Sequence, residues 1–115
     1  MSLHIKRAYD DASKNDGFRV LVDRIWPRGV SKEDAKIDLW LKEVAPTTEL
    51  RKSFDHDPDK WAEFQKKFKA EIHDNKDVWK QLKDVVKEHS TVTLVYAAKD
   101  EEHTNAVVLK KLLEK

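Results

Sequence analysis

The stretch FRVLVDRI, residues 18–25, constrains this chain more than any other, because Val20, Leu21 and Val22 place three apolar side chains in succession. A strand alternates its side chains between two faces, so a run without a polar face must be covered on both, as a central strand is in a layered α/β sheet. The run stops at Trp26-Pro27, where proline removes a ladder donor and Gly29 permits a turn. Residues 26–29 are therefore expected to form a loop leaving the strand's C-terminal end.

Two further strands fit the pattern. Residues 3–9, LHIKRAY, put Leu3, Ile5 and Arg7 on one face, and TVTLVY at 91–96 is rich in β-branched residues. The polar DDASKNDG at 10–17 collects turn formers and predicts a loop. Ser31 is placed to cap a short helical turn reaching Ala35, whereas IDLWL at 37–41 fits either a third strand or the start of a helix. Ala45-Pro46 interrupts the element before it, and Thr47 or Thr48 can cap a short helix ending near Phe54.

Helical signals dominate the second half. Asp57 as N-cap, Pro58 at the first helical position, and Trp61, Phe64, Phe68 and Ile72 at spacings of three and four predict an amphipathic helix reaching Asp74. Asn75 is placed to cap a second helix, whose buried stripe would be Val78, Leu82, Val85 and Val86. Asp100 is expected to cap a last helix, with Glu101 and Glu102 at its positive end and Val107, Val108, Leu109 and Leu112 on its buried side.

Strands separated by helical segments define the expected fold class: one α/β domain over residues 1–115, with a small, mostly parallel sheet of three or four strands flanked by helices. The link between the first two strands is only about eight residues, short of the roughly dozen a parallel crossover uses, which leaves an antiparallel pairing of those two open.

Composition removes whole classes of function. Lys plus Arg number 23 and Asp plus Glu number 22, a net charge of +1 that argues against a histone-like or polyanionic tail protein. The absence of cysteine excludes disulfides, thiolate catalysis, cysteine zinc sites and iron–sulfur clusters. No run of 18 apolar residues occurs, and the start MSLHIKRAYDD lacks the apolar stretch of a signal peptide, so the expectation is a soluble cytoplasmic protein with no membrane partner.

In an open α/β sheet, ligands bind outside the carboxyl ends of the strands, which directs attention to DRIWPRG at 23–29 and AAKDEEHTN at 97–105. Three of only five arginines, Arg19, Arg24 and Arg28, fall near the first segment. Their planar forks suit phosphate or carboxylate, and Arg24 and Arg28 with Lys99 could clamp a small anionic ligand. The plainer reading pairs Arg24 with an acid of the last helix and leaves Arg28 as a solvated charge. Trp26 could stack a ring or close over the core. His103 could move protons near neutral pH with Asp23 or Asp100, and Asn105 lies beside it in the same segment.

Other constellations carry less. No GK[ST] loop is present, which excludes a P-loop NTPase, and Asp23 lacks the DxD of an aspartyl-phosphate enzyme. Asp55-His56-Asp57 resembles a metal string, but Asp57 is better used as a cap, so no metal is expected and no cofactor is indicated. Lys66, Lys67, Lys69 and Lys76 read as a solvated helix face, which makes nucleic acid the less favoured partner.

The segments VLVDRIWPRGVSKEDAKIDLWLKEVAP, TELRKSFDHDPDKWAEF and TLVYAAKDEEHTNAVVL resemble the YeaO-like family, the compact branch of a larger bacterial and archaeal family of unknown function. The resemblance implies a small α/β domain and draws attention to Asp23, Arg24, Trp26, Pro27, Arg28, Gly29, Pro46, His56, Lys99, Asp100, His103 and Asn105. It also implies that longer relatives carry a Cys and a His-Arg pair after the last strand. This chain has no Cys, and Asn105 and Ala106 stand near the other two positions, so thiol chemistry does not carry over. The sequence thus supports an anion-binding protein, a hydrolase or transferase if it is an enzyme at all. A nucleic-acid or protein-binding adaptor and a subunit that packs these residues into an oligomer interface stay open beside it.

Overall fold

A computed structural model describes residues 2–115. Four strands, β1 (Ser2–Arg7), β2 (Phe18–Leu21), β3 (Leu39–Trp40) and β4 (Thr91–Tyr96), form one sheet in the order β1-β4-β2-β3. Every pairing is parallel, with Leu3 opposite Val92, Phe18 opposite Val92 from the other side, and Val20 opposite Leu39. The antiparallel option for the first two strands is therefore overturned. They are not neighbours, because β4 lies between them, and the link returns to the bottom of the sheet through a turn closed by the Asp10 N–H on the Arg7 carbonyl at 3.1 Å and a 3-10 turn at Lys14–Asp16.

That return ends at Gly17, whose φ of +66° and contact with the Thr91 carbonyl leave no room for a Cβ. The first two strands are also shorter than their apolar patterns suggest. The β2 ladder stops at Leu21, although the Val22 N–H still donates to the Val95 carbonyl at 3.0 Å.

Val20, Leu21 and Val22 are all completely buried, as an apolar run must be, but the two faces differ. On one face Val20, Val22, Val92, Leu94 and Tyr96 meet Leu50 and Phe54 of α2 (Thr48–Phe54), Phe64, Phe68 and Ile72 of α3 (Trp61–Asp74), Leu82 and Val86 of α4 (Lys76–Glu88), and Val108 and Leu109 of α5 (Asn105–Leu113). The other face carries a small cluster of Ala8, Leu21 and Val95 under Trp26, Ile37 and Trp40. Near it Arg19, 3% exposed, pairs with Asp16 and donates through Nε to the Ala35 carbonyl of the short α1 (Lys32–Ala35).

The caps mostly follow the side-chain chemistry. Ser31 accepts from the Asp34 N–H, Thr47 from the Leu50 N–H, and Asp57 from the Asp59 N–H in a 3-10 turn leading into α3. Residues 39–40 resolve as an edge strand rather than a helix. Two expected caps fail. Asn75 spends its side chain on the Glu43 carbonyl, and the last helix starts at Asn105 under Thr104 rather than at Asp100. Among the described residues no helix is long and apolar enough to cross a membrane.

Candidate functional site

The C-terminal ends of β2 and β4 open onto a cleft of about 330 Å³. Its walls are residues 23–28, Ala45-Pro46, Arg51 and Phe54 of α2, His56 beyond it, Phe64 of α3, Ala97-Ala98, and residues 103–105. All the segments meet because the parallel strands end together and the helices return along one face.

Asp23 stands where the β2 ladder has ended. Its Oδ2 accepts from the Ala97 N–H at 2.9 Å and its Oδ1 from Asn105 Nδ2 at 3.2 Å, while the same Nδ2 donates to the Val22 carbonyl at 2.8 Å. Burial pushes the Asp23 carboxyl above the ordinary carboxylate range, against the pull of those two hydrogen bonds and of the Arg51 charge. Both oxygens are engaged, and Asn105 ties α5 to the strand end.

Arg24 is used partly as a staple. Its Nε donates to the Pro46 carbonyl at 3.2 Å and its Nη2 to the Ala45 carbonyl at 3.1 Å, so it pairs with no acid of the last helix. Its Nη1 has no partner among the described residues. Trp26 donates through Nε1 to the Val30 carbonyl at 2.7 Å and stands edge-on to Trp40 at 5.4 Å, closing its loop over the small cluster while still lining the cleft. Arg28 is exposed; its carbonyl accepts from the Tyr9 hydroxyl at 3.0 Å, and its guanidinium makes no hydrogen bond or ion pair among the described residues.

His103 lies in the loop before α5 rather than in its first turn. Its Nδ1 is 2.8 Å from Asp100 Oδ2, and Asp100 Oδ1 accepts from the N–H groups of Glu102 and His103 at 2.8 and 3.0 Å. Those bonds, the Glu102 N–H foremost, hold the Asp100 carboxyl below its usual range. A carboxylate at Nδ1 favours the proton there and leaves Nε2 as the free nitrogen, on a ring that stands edge-on to Trp61 at 5.2 Å. Lys99 is exposed, and neither it nor Asp100 is part of the cleft wall. No group of three or more His, Cys, Asp or Glu side chains gathers as a metal would require among the described residues.

Sequence reasoning passed over Arg51, which shares the cleft with Arg24 and Arg28 and is exposed without a partner among the described residues. Its signal was rarity, since arginine is scarce in a lysine-rich chain. It also gave little weight to His56, which follows Asp55 with both backbones left-handed, at φ 54° and 47°, and so turns the chain back to the cleft. Arg19, grouped with the others by sequence, lies instead in the buried pair with Asp16 on the opposite face.

Fold and site together define a small α/β protein with a parallel sheet and a basic cleft at its strand ends. The chain belongs to the family described as the inactive DUF488-N3 subclade, which matches over residues 2–115. It is 42% identical over 109 residues to the uncharacterized protein YeaO of Escherichia coli K12, covering 95% of this chain and 94% of that one. It is 39% identical over 111 residues to the uncharacterized protein Rv3073c of Mycobacterium tuberculosis H37Rv, covering 96% and 92%. No solved structure matches the chain significantly.

Proposed function

We propose that the strand-end cleft binds a small molecule bearing an oxyanion, phosphate being the group its donors suit best. One observation carries this reading: Arg24, Arg28, Arg51, His56 and His103 line one cleft whose only carboxylate among the described residues, Asp23, has both oxygens occupied by donors. Arg28 and Arg51 come from different elements and can each offer a two-pronged fork to one anion. Phe54, Phe64 and Pro46 supply apolar wall for the ligand's body, and the cleft volume falls at the small end of ligand sites. The cytoplasm is the compartment proposed for this role.

Binding is favoured over turnover. The chain has no cysteine, the Thr104 hydroxyl caps Val107, and Asp23 is held by Ala97 and Asn105. A hydrolytic or transfer step would rest on the His103–Asp100 pair without a nucleophile beside it among the described residues. The family's description as an inactive subclade agrees with that reading.

The test is calorimetric titration of the whole chain with inorganic phosphate and a nucleoside monophosphate, on wild type and on Arg28→Ala with Arg51→Ala. Saturable binding in wild type, weakened at least about tenfold in the double variant at an unchanged melting midpoint, is the expected result. Silence toward every oxyanion would transfer support to a non-enzymatic adaptor. That second reading draws on Ile25 and Tyr9, large hydrophobic side chains left 59% and 47% exposed, the tyrosine with its hydroxyl on the Arg28 carbonyl.

A further inference from the structure

We infer, on the reading that the strand-end cleft holds an oxyanion, that His103 takes up a proton as the anion enters. The cleft then binds oxyanions tightly below neutral pH and releases them above it.

Opposing charges act on this ring. His103 lines the cleft, but its Nδ1 is 2.8 Å from Asp100 Oδ2, and Asp100 is no part of the cleft wall. Nδ1 is thus held on the side of the carboxylate, and Nε2 is the nitrogen left for a ligand. Asp100 stays ionised, because the Glu102 N–H first and the His103 ring and N–H after it hold its carboxyl low, and its charge favours the imidazolium. Arg24, Arg28 and Arg51 share the cleft with His103 and pair with no acid among the described residues, so their charge disfavours the imidazolium. An oxyanion seated among the arginines cancels the second pull and leaves the first. Protonation then becomes easier with the anion bound, and by reciprocity the proton tightens the anion by the same factor.

The other charged groups near the ring are committed or exposed. Asp23, the carboxylate of the cleft, has both oxygens on donors. Arg7 donates to the Ala97 and Ala98 carbonyls at 3.4 and 2.8 Å. From α3 the ring meets Trp61, edge-on and uncharged, and the neighbouring Lys60 donates to the Ser53 carbonyl at 3.3 Å. Lys99, Glu101 and Glu102 are exposed, where water and salt screen them, and the first turn of α5 carries no acid.

His56 is the other histidine of the cleft, and it lacks the opposing partner. Its nearest ring is that of Phe54 at 6.3 Å, and it forms no hydrogen bond or ion pair among the described residues. Asp57, two bonds of backbone away, spends an oxygen on the Asp59 N–H at 3.0 Å, and Asp55 is exposed. With no carboxylate on its ring, His56 has nothing to hold a proton against the arginines, and the linkage falls to His103.

The experiment titrates the full chain with sulfate, which stays a dianion from pH 6 to pH 8 while phosphate changes its own charge. Calorimetry in an amine buffer, free of competing oxyanions, reads affinity across that range, and the histidine ring resonances read protonation by NMR. Wild type should bind sulfate at least about fivefold tighter at pH 6 than at pH 8, and saturating sulfate should move the His103 titration midpoint upward. His56→Gln should keep the pH dependence and His103→Gln should lose it. Asp100→Asn keeps an acceptor for the Glu102 N–H but removes the charge, and should move the dependence to lower pH. Equal sulfate affinity at pH 6 and pH 8, or a His103 midpoint in wild type that sulfate leaves unmoved, overturns the proton linkage whether or not the variants fold. So does a dependence that survives in folded His103→Gln. Failure of wild type to bind sulfate at any pH would instead remove the anion-binding reading beneath it.

Discussion

Asn105 Nδ2 donates to Asp23 Oδ1 at 3.2 Å and to the Val22 carbonyl at 2.8 Å, so the first residue of α5 is fastened to the end of β2. One amide therefore satisfies an orphan strand carbonyl and half of a desolvated carboxylate. Asp23 completes the tie by accepting from Ala97 at the end of β4, and the two central strands and the last helix share one buried polar junction.

Removing this amide should be costly. Asn105→Ala leaves the Val22 carbonyl and Asp23 Oδ1 without their donor, and we expect a loss of about 2 kcal/mol in urea unfolding at neutral pH. Asn105→Asp is nearly the same shape but sets a second carboxylate against Asp23. It should cost more at pH 7 and recover as the pH falls and one of the two protonates. Equal stability of the two variants at both pH values would show that Asn105 acts only by its size.

The two glycines give a controlled comparison of strain and crowding. Gly17 has φ +66° and a Cβ there would run into the Thr91 carbonyl and side chain, while Gly29 has φ +79° and open space around it. Gly29→Ala should cost only the left-handed penalty of about 1 kcal/mol. Gly17→Ala must also displace the start of β4, and its loss should be at least twice as large, read as a difference in unfolding free energy. Similar losses would mean that the link between β1 and β2 shifts freely.

The acid range should divide into two opposing contributions. For Asp16, burial alone would raise the carboxyl, but hydrogen bonds from the Ser13 N–H, Lys6 and Arg19 outweigh it and leave the group below its ordinary value. A lowered folded-state value gives stability that is present above the unfolded value of 3.8 and lost as pH falls through the folded one. Asp23 is raised, so its sign reverses: its contribution is present below 3.8 and lost as pH rises through its folded value. Asp16→Asn should therefore flatten the acid limb of the stability–pH curve. It should also destabilise the protein by about 3 kcal/mol at pH 7, because Arg19, 3% exposed, loses its counter-charge. An acid limb as steep in the variant as in wild type would assign the limb to other groups.

The sheet was legible because its apolar runs leave few options. Val20-Leu21-Val22 demands two covers, and the fold provides them, helices on one side and the Trp26–Trp40 loops on the other. Strand order was not legible: nothing local in β4 announces that it inserts between β1 and β2, since insertion is decided by core packing between segments far apart in the chain. The start of α5 was misplaced for a local reason. Asp100 and Thr104 both have the chemistry of a cap, and the choice fell to Thr104 because Asp100 closes its own turn on Glu102 and His103. The strand-end segments of the site followed from the parallel-sheet rule, whereas Arg51 arrives on a helix whose approach only the tertiary structure sets.

Arg24 and Arg51 line the same cleft but should separate cleanly by mutation. Arg24 donates to the Pro46 and Ala45 carbonyls, and the Ala45 segment it holds also walls a second hollow, over Phe68, Ile72 and Trp79. Arg24→Ala therefore leaves two partly buried carbonyls without their charged donor and should lower stability by about 2 kcal/mol, with phosphate affinity falling as well because the cleft wall moves. Arg51 is exposed and unpartnered among the described residues, so Arg51→Ala should leave the unfolding midpoint within about 1 °C while weakening phosphate by about tenfold. Arg51→Lys distinguishes a fork from a point charge: partial rescue at low salt that disappears at high salt means charge alone, and no rescue means two-pronged recognition. Should Arg51→Ala unfold the protein as readily as Arg24→Ala, the cleft's charge would be structural and the anion-binding reading would lose its best-placed donor.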